Sequence, residues 1–240
     1  MPAYASHFLR REELAQGTAA FHFARPAGLE FKAGQALNIT LLDPPETDSR
    51  GASRTFSIVS APHHETLQFA TRLRDTAFKR ALGSLQPGAP VKLRGPMGNF
   101  TLPEDGARPM VMLAGGIGIT PFMSMLRHAE HTRSPIERTL VYSNRRPEDA
   151  PYLDELKAMA ARDPRFKLVA TMTEMDKSER PWQGERALVD AAFLARHLGR
   201  GASPVYYLAG PPGMVSALGT LLKETGAPAA DIRTDEFFGY

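Results

Sequence analysis

The pattern of apolar and polar positions changes near residue 100. Before it, short runs that mostly alternate apolar and polar residues predict strands, and turns rich in glycine and proline separate them. The predicted strands are Ala20–Phe23, Leu37–Leu41, Phe56–Val59, Leu67–Leu73 and Val91–Leu93, with one helix over about Thr76–Leu85. Short strands at this spacing predict a small antiparallel β-barrel.

From Met110 onward, each apolar run is followed by a segment with helical spacing. The predicted strands are Met110–Ala114, Arg138–Ser143, Phe166–Met172, Val205–Ala209 and Ile232–Phe237, and the predicted helices are Pro121–His131, Glu148–Arg162, Leu188–His197 and Gly213–Thr225. This alternation predicts a doubly wound parallel sheet. Because Gly95–Pro109 is rich in proline and glycine, we expect a barrel domain over residues 1–100 and an α/β domain over residues 101–240.

Composition narrows the class of protein. The 240 residues are 42% hydrophobic and 23% charged, as in ordinary globular proteins, and include no cysteine. Thiolate catalysis, disulfides and cysteine-ligated iron–sulfur clusters are therefore excluded for this sequence. The seven histidines show no metal-ligand spacing, so no metal is expected. The sequence shows no signal-peptide pattern and no apolar run long enough to span a bilayer, so we expect a cytoplasmic monomer.

The net positive charge lies in the first part of the chain, since residues 1–96 hold 12 basic and 8 acidic residues and residues 97–240 hold 17 and 18. The net charge is +3, and four basic residues with one acidic residue lie between Arg72 and Arg80. This cluster indicates a solvated face, a site for a ligand phosphate or a surface for an acidic partner. No nucleic-acid-binding motif accompanies it, so nucleic acid is not an expected partner.

The stretch Leu113–Pro121 (Leu-Ala-Gly-Gly-Ile-Gly-Ile-Thr-Pro) joins a predicted strand to a predicted helix. Its glycines let the turn tighten and let a ligand approach the backbone N–H groups at the helix start, which attract phosphate. We expect Thr120 as the N-cap and Pro121 as the first helical residue. The stretch is neither a Walker loop nor the usual Rossmann fingerprint. From these residues alone, a nucleotide-phosphate site and an ordinary tight turn both stay open.

A second candidate lies in the barrel half, at Arg54-Thr55-Phe56-Ser57. On a strand, Arg54 and Phe56 share one face and Thr55 and Ser57 share the other. An arginine suits a pyrophosphate, an aromatic ring suits a flat heteroaromatic ligand, and a hydroxyl can donate to a ring nitrogen. The alternative is a partly exposed strand with a core phenylalanine.

Seven segments resemble motifs of the ferredoxin–NADP reductase-like flavoproteins, in the order that the family has them. They are Phe31–Gln35, Arg54–Ser57, Gly95–Phe100, Leu113–Pro121, Trp182–Arg186, Ala209–Met214 and Glu236–Tyr240. Each motif is weak alone, but their shared order is specific, and together they extend over nearly the whole chain.

The resemblance implies FAD, rather than FMN, on the barrel and NAD(P)H on the α/β domain. The implied flavin-binding residues are Arg54, Thr55, Phe56, Ser57, Thr71, Arg72, Leu73, Phe78 and Lys79. Among them, Arg54 would bind phosphate, Phe56 would pack on the isoalloxazine and Ser57 would lie near flavin N5. The implied nucleotide-binding residues are Gly115, Gly116, Gly118, Thr120, Arg145, Gly210, Pro211 and Met214. Ser57, Glu236 and Tyr240 are the implied catalytic residues, and Phe238 or Tyr240 would lie against the flavin.

Four positions depart from the family pattern. Phe56 replaces the commoner tyrosine, Ala209 replaces a cysteine, and Lys79 replaces a serine or threonine. Met172-Thr173 stands where relatives have a Ser-Arg pair for the 2′-phosphate of NADP. This last departure weakens the case for NADPH, although Arg145, Arg146, Lys177 and Arg180 could substitute.

The activity that the resemblance implies is an FAD-dependent NAD(P)H oxidoreductase. Hydride would pass between nicotinamide and flavin, and single electrons between flavin and an external carrier protein such as a ferredoxin or flavodoxin. One alternative is a flavin or ferric reductase of the same fold, which binds flavin loosely as a substrate. Another is a non-catalytic nucleotide-binding subunit.

Overall fold

The computed structural model of the protein describes residues 1–103, 108–198 and 203–238. Its contacts group into two units. The first unit is Met1–Leu102 with Thr120–Thr132, and the second is Pro103–Ile119 with Arg133–Tyr240. The domain boundary that the sequence places at residue 100 stays a prediction.

The first unit is built on a six-stranded antiparallel sheet that forms a half-barrel. Its strands have the order β4-β3-β6-β1-β2-β5. Large rings fill the inner face, where Phe23 contacts Phe8 and Phe69 edge-on at centroid distances of 5.6 and 5.8 Å. The elements are β1 (Ala3–Ala15), β2 (Thr18–Ala24), β3 (Ala36–Leu41), β4 (Ser53–Ser57), β5 (Thr66–Arg72), α1 (Ala77–Gly83) and β6 (Pro90–Met97).

Two strands of this sheet differ from the sequence prediction. β1 was not predicted, because only Ser6 and Phe8 of its thirteen residues are buried and its sequence shows little apolar alternation. β4 covers Ser53–Ser57 instead of Phe56–Val59, since the strand pairs with β3 through Ser53 to Ser57 and ends there.

Helix α2 (Ile119–His131) packs on this sheet within the first unit. The ring of Phe122 lies 5.6 Å from that of Phe100, and the Ser124 hydroxyl donates to the carbonyl of Ser60 at 2.8 Å. Arg127 donates to the side-chain oxygen of Gln68 at 2.7 Å. These apolar and polar contacts fix the helix that leads out of the glycine turn.

The second unit contains a five-stranded parallel sheet with the order β11-β10-β7-β8-β9. The chain runs from β7 outward to β9 and then crosses to β10, so the topological switch point lies between β7 and β10. The strands are β7 (Met110–Gly115), β8 (Arg138–Asn144), β9 (Phe166–Met172), β10 (Val205–Gly210) and β11 (Ile232–Glu236), and the helices are α3 (Leu153–Arg162), α4 (Ala191–His197) and α5 (Pro212–Glu224). The predicted parallel sheet with intervening helices is confirmed.

Two helices begin later than predicted. α3 begins at Leu153 instead of Glu148, because Pro147–Asp149 form a 3-10 turn and Tyr152 has a left-handed backbone with φ of 62°. α4 begins at Ala191 instead of Leu188, where the Asp190 carboxylate accepts from the backbone N–H of Phe193 at 2.7 Å and caps the helix.

Neither a membrane-crossing helix nor a metal-binding group is found in the described parts of the chain. No described helix combines the length and the apolar character that a membrane span needs. No three histidine or acidic side chains of residues 1–103, 108–198 and 203–238 are arranged to hold a metal ion.

Candidate functional site

The glycine turn lies at the carboxyl end of the central strand β7. The strand ends at Gly115, a 3-10 turn covers Gly116–Gly118, and α2 follows directly from Ile119. Gly116 has φ of 53°, a left-handed backbone that glycine adopts readily. Because α2 begins at Ile119, Thr120 is its second residue and is buried. The predictions that Thr120 is the N-cap and Pro121 the first helical residue are both wrong.

The glycines of this turn let the backbones of β7 and β10 approach each other closely. A Cβ on Gly118 would lie 2.2 Å from the carbonyl oxygen of Ala209, and one on Gly115 would lie 2.4 Å from the sulfur of Met214. The stretch is thus a tight turn, which was one of the two possibilities that the sequence leaves open. Whether it also binds a nucleotide phosphate stays a prediction. The 3-10 turn leads into a thirteen-residue helix, whose N-terminal end favours an anion.

A second turn lies beside the first, at the carboxyl end of β10. Gly210 has φ of 151°, and Pro211 precedes α5. The two turns meet at the switch point of the sheet, where open α/β sheets bind their ligands. Sequence reasoning missed Tyr142 on β8, a fully buried residue whose hydroxyl lies 3.2 Å from the carbonyl oxygen of Gly116 and 3.1 Å from that of Pro151.

The end of β11 continues this edge of the sheet. Glu236 is paired in register with Gly210, and the backbone N–H of Phe237 donates to the Gly210 carbonyl at 3.0 Å. The Phe238 side chain is 71% exposed. The predicted catalytic residue Tyr240 lies outside the described residues.

Asp235, which sequence reasoning also missed, lies next to Ala209 in the register of β10 and β11. Burial raises the pKa of this carboxyl from 3.8 to about 6. The alternation of side chains along β11 places Asp235 on the same face of the strand as Arg233, and this pattern is visible in the sequence. A carboxyl that ionises only reluctantly therefore lies at the carboxyl end of the sheet.

We expect Asp235→Asn to stabilise the protein above pH 6 and to have little effect near pH 4. The pKa of Asp235 is higher in the folded protein than in the unfolded one, so the wild type loses stability as pH rises from about 4 to about 6. The asparagine side chain does not ionise, so the variant does not lose this stability. Urea unfolding at both pH values measures the difference. An equal gain at both pH values would show that ionisation of Asp235 is not the cause.

In the first unit, the Arg54 guanidinium is held by its own loop. It donates to both carboxylate oxygens of Asp48 at 2.6 Å, to the Gly51 carbonyl at 2.8 Å and to the Ser53 carbonyl at 2.7 Å. Asp48 lies six residues upstream in a loop without a regular pattern, so nothing in the local sequence indicates this pair. Arg54 is therefore both a loop clamp and a candidate phosphate ligand.

The aromatic part of this site is built on β4 and α1. The Phe56 ring lies 6.0 Å from that of Phe78, and the Arg54 guanidinium lies over the Phe78 ring at 5.0 Å. Arg54 and Phe56 thus contact the same ring, as expected for alternate residues of one strand. Phe56 packs on the barrel core but keeps an exposed part, Ser57 is buried and Thr55 is exposed.

Three further predicted flavin-binding residues lie on β5 or directly after it. Thr71 is buried, Arg72 is partly exposed, and Leu73 packs against the barrel core. The backbone N–H of Leu73 donates to the Gly17 carbonyl at 2.7 Å, which fixes the end of the strand.

Several cations lie close together near these residues. Burial and the charges of Arg74, Arg54 and Arg72 lower the pKa of Lys79 from 10.5 to about 8. Within the described residues, no carboxylate forms an ion pair with Arg72, Arg74 or Lys79. We call Arg54, Arg72, Arg74 and Lys79 the cation cluster. Its unbalanced charge suits an anionic ligand with several negative groups.

Arg145, the remaining predicted nucleotide ligand, follows β8 directly. Its side chain is exposed, and its guanidinium lies 3.4 Å from the Glu174 carboxylate. Within the second unit, Arg145 thus lies at the same carboxyl-end edge of the sheet as the two glycine turns.

Comparisons with known proteins agree with this arrangement. Residues 112–219 match the family described as "Oxidoreductase NAD-binding domain". Ferredoxin--NADP reductase B of Sorangium cellulosum (strain So ce56) is 32% identical over 217 residues, which cover 86% of this chain and 85% of the relative. The chain belongs to the ferredoxin–NADP reductase family. The family resemblance predicted from the sequence is confirmed.

Other members of the family are components of larger systems. The glycine betaine monooxygenase reductase subunit of Chromohalobacter salexigens is 29% identical over 233 residues, which cover 91% of this chain and 62% of the relative. The chain thus spans about three fifths of the length of such relatives. A ferredoxin NADP+ reductase from Neisseria gonorrhoeae, whose structure has bound FAD and NADP, shares the fold with a TM-score of 0.82 at 23% identity, covering 99% of this chain and 100% of that one.

Proposed function

We propose that the protein is an FAD-dependent NAD(P)H oxidoreductase that passes electrons to an external carrier protein. The observation that supports this best is the presence of two anion-accepting sites in one chain of this family. One is the cation cluster of the first unit, and the other is the pair of glycine turns at the switch point of the second.

The residues of the first unit fit a flavin dinucleotide. Lys79, Arg72 and Arg74 lack a compensating carboxylate among the described residues and would hold the diphosphate. Phe56 would pack against the isoalloxazine, and the buried Ser57 hydroxyl would donate near flavin N5. The flavin, when bound, supplies the hydride and one-electron chemistry.

The residues of the second unit fit a nicotinamide dinucleotide. The diphosphate would bind at the turn Gly116–Gly118, at the N-terminal end of α2, where the helix dipole favours an anion. Gly210, Pro211 and Met214, in the neighbouring turn at the end of β10, would lie on the other side of the dinucleotide. Glu236, in register with Gly210, would orient or protonate groups at the reacting end.

The proposed partner is a one-electron carrier of the ferredoxin or flavodoxin type, or an oxygenase component that a reductase serves. The names of the relatives support this class, since they include a ferredoxin--NADP reductase and reductase components of monooxygenases. Because this sequence has no cysteine, a cysteine-ligated cluster would belong to a partner or another domain. The expected cytoplasmic location and monomeric state stay predictions.

A flavin reductase that exchanges its flavin is the second candidate. The pairing of Arg54 with Asp48 favours it, because a phosphate must compete with a carboxylate for this guanidinium. Weak retention of flavin would follow from that competition.

Anaerobic titration of the purified protein with NADH and with NADPH tests the proposal. We expect the protein to retain FAD and the flavin absorbance to be bleached by about one equivalent of nucleotide, because one hydride reduces one flavin. A colourless protein that reduces added flavin would support the second candidate. Retained flavin that neither nucleotide bleaches would indicate a non-catalytic nucleotide-binding subunit.

A further inference from the structure

The carboxyl ends of β8 and β9 carry a dense set of charges on the side of β7 away from β10. Four basic and five acidic side chains lie within two short segments, residues 145–149 and 174–180. We call the paired members of this set the β8–β9 charge cluster. They are Arg145, Arg146, Glu148, Asp149, Glu174 and Lys177.

The basic residues of this cluster are bound by its acidic ones. Glu174 lies 2.9 Å from the Lys177 ammonium and 3.4 Å from the Arg145 guanidinium, so one carboxylate links two cations. Arg146 donates to both oxygens of Asp149 at 2.7 and 2.8 Å. Lys177 and, less strongly, Arg145 hold the pKa of Glu174 below its ordinary value, so this carboxylate is ionised at neutral pH.

The position of the cluster relative to the glycine turns indicates which half of a dinucleotide it meets. Beside the first turn, the β10 end presents Ala209, Gly210 and Met214, which are small or apolar and suit the flat reacting ring. The charged side chains lie on the opposite side of β7, next to β8 and β9. With the diphosphate at the central turn and the reacting ring beside β10, the adenosine half would extend over the β8–β9 charge cluster.

NADH and NADPH differ at this half only, by the 2′-phosphate on the adenosine ribose. A 2′-phosphate is a dianion and needs cations that are not already neutralised, whereas a ribose diol donates hydrogen bonds to a carboxylate. In the β8–β9 charge cluster, Arg145 and Lys177 share the single negative charge of Glu174, and Arg146 is paired with Asp149. With Arg180 included, the four basic and five acidic residues of segments 145–149 and 174–180 carry a net charge of −1. Asp176 and Glu179 add further negative charge.

We propose that the β8–β9 charge cluster selects NADH over NADPH, with Glu174 as the residue that accepts the ribose hydroxyls and rejects a 2′-phosphate. This inference rests on the proposed function, because it assigns one of the two nicotinamide nucleotides to the same site. Glu174 acts both by repelling the phosphate and by pairing with the two cations that could otherwise bind it.

Calorimetric titration of the flavin-loaded protein with NAD⁺ and NADP⁺ tests this without any hydride transfer. We expect the wild type to bind NAD⁺ at least about tenfold more tightly. Glu174→Gln keeps the shape of the side chain but releases Arg145 and Lys177, so binding of NADP⁺ is expected to tighten about tenfold while binding of NAD⁺ weakens or stays the same. Glu224→Gln is the matched control. It removes one exposed carboxylate at the far end of α5 and should leave both affinities unchanged.

The outcomes separate this inference from the proposed function. Tighter binding of NADP⁺ than of NAD⁺ by the wild type would overturn the inference, as would equal weakening of both nucleotides in Glu174→Gln. A preference for NAD⁺ that narrows in Glu174→Gln supports it, even if NADH fails to reduce the flavin. That failure would instead overturn the proposed hydride transfer. Absence of any nucleotide binding would overturn both.

Discussion

Replacing Gly118 by alanine is expected to lower the free energy of unfolding by about 3 kcal/mol and to abolish binding of the nicotinamide nucleotide. The added Cβ would lie 2.2 Å from the carbonyl oxygen of Ala209, 2.5 Å from its carbonyl carbon and 2.6 Å from the nitrogen of Gly210. All three are backbone atoms of β10 and its turn, so no side-chain rotation can relieve the overlap. The turn must move away from β10, and the N–H groups that it presents move with it.

Two other glycines give a graded comparison. At Gly115 the obstacle is the flexible side chain of Met214, so Gly115→Ala should cost less than Gly118→Ala. At Gly213, on α5, nothing lies within 4 Å of the added Cβ, and Gly213→Ala should leave stability and affinity near wild type. Urea unfolding and calorimetric titration with NAD⁺ measure both effects. Wild-type stability of Gly118→Ala would contradict the close packing of the two turns.

The sequence predicts the position of this turn, but it does not predict that Gly118 is needed for the contact with Ala209. The strand before it and the helix after it follow from apolar spacing over neighbouring residues, which local sequence reveals. The contact of Gly118 with Ala209 joins residues far apart in the chain, so it depends on the strand order of the sheet. The error at Thr120 is smaller and local, since the helix starts at Ile119, two residues earlier than a capping Thr120 would require.

In the barrel half too, a local feature could be predicted from the sequence, whereas a contact with an irregular loop could not. The pattern of Arg54-Thr55-Phe56-Ser57 predicts a strand, and the structure has a strand there with the bounds Ser53–Ser57. The bond from Arg54 to Asp48 was not predicted, because irregular loops have no periodicity from which a fold can be read. β1 was missed for a related reason, since its mostly exposed residues bury too few apolar side chains to show a period of two.

Replacing Lys79 by glutamine is expected to weaken FAD binding about tenfold or more at neutral pH and to remove most of its dependence on pH above 8. Lys79 lies in the cation cluster, where burial and the charges of Arg74, Arg54 and Arg72 lower its pKa to about 8 in the protein alone. A bound diphosphate stabilises the ammonium, since hydrogen bonds between charged groups are the strong ones. The pKa of Lys79 therefore rises when FAD binds.

The sign of the pH dependence follows from this rise. Below about pH 8 the side chain is protonated in both the free and the bound protein, and affinity is constant. Above that pH the free protein loses the proton while the complex retains it, so binding must take up a proton and affinity falls by up to about tenfold per pH unit. Fluorescence titration of the flavin-free protein with FAD, from about pH 7 to about pH 9.5, follows this decline.

A lysine on the sheet of the first unit provides the control. Lys92 on β6 is exposed, and Lys92→Gln removes the same charge from the same unit outside the cation cluster. It should retain both the affinity and the pH dependence of the wild type. If Lys79→Gln shows the wild-type decline above pH 8, the titrating group is not Lys79. If its affinity is also unchanged at neutral pH, the cation cluster does not hold the flavin diphosphate, because a half-buried ammonium beside a dianion cannot be removed without a loss of binding.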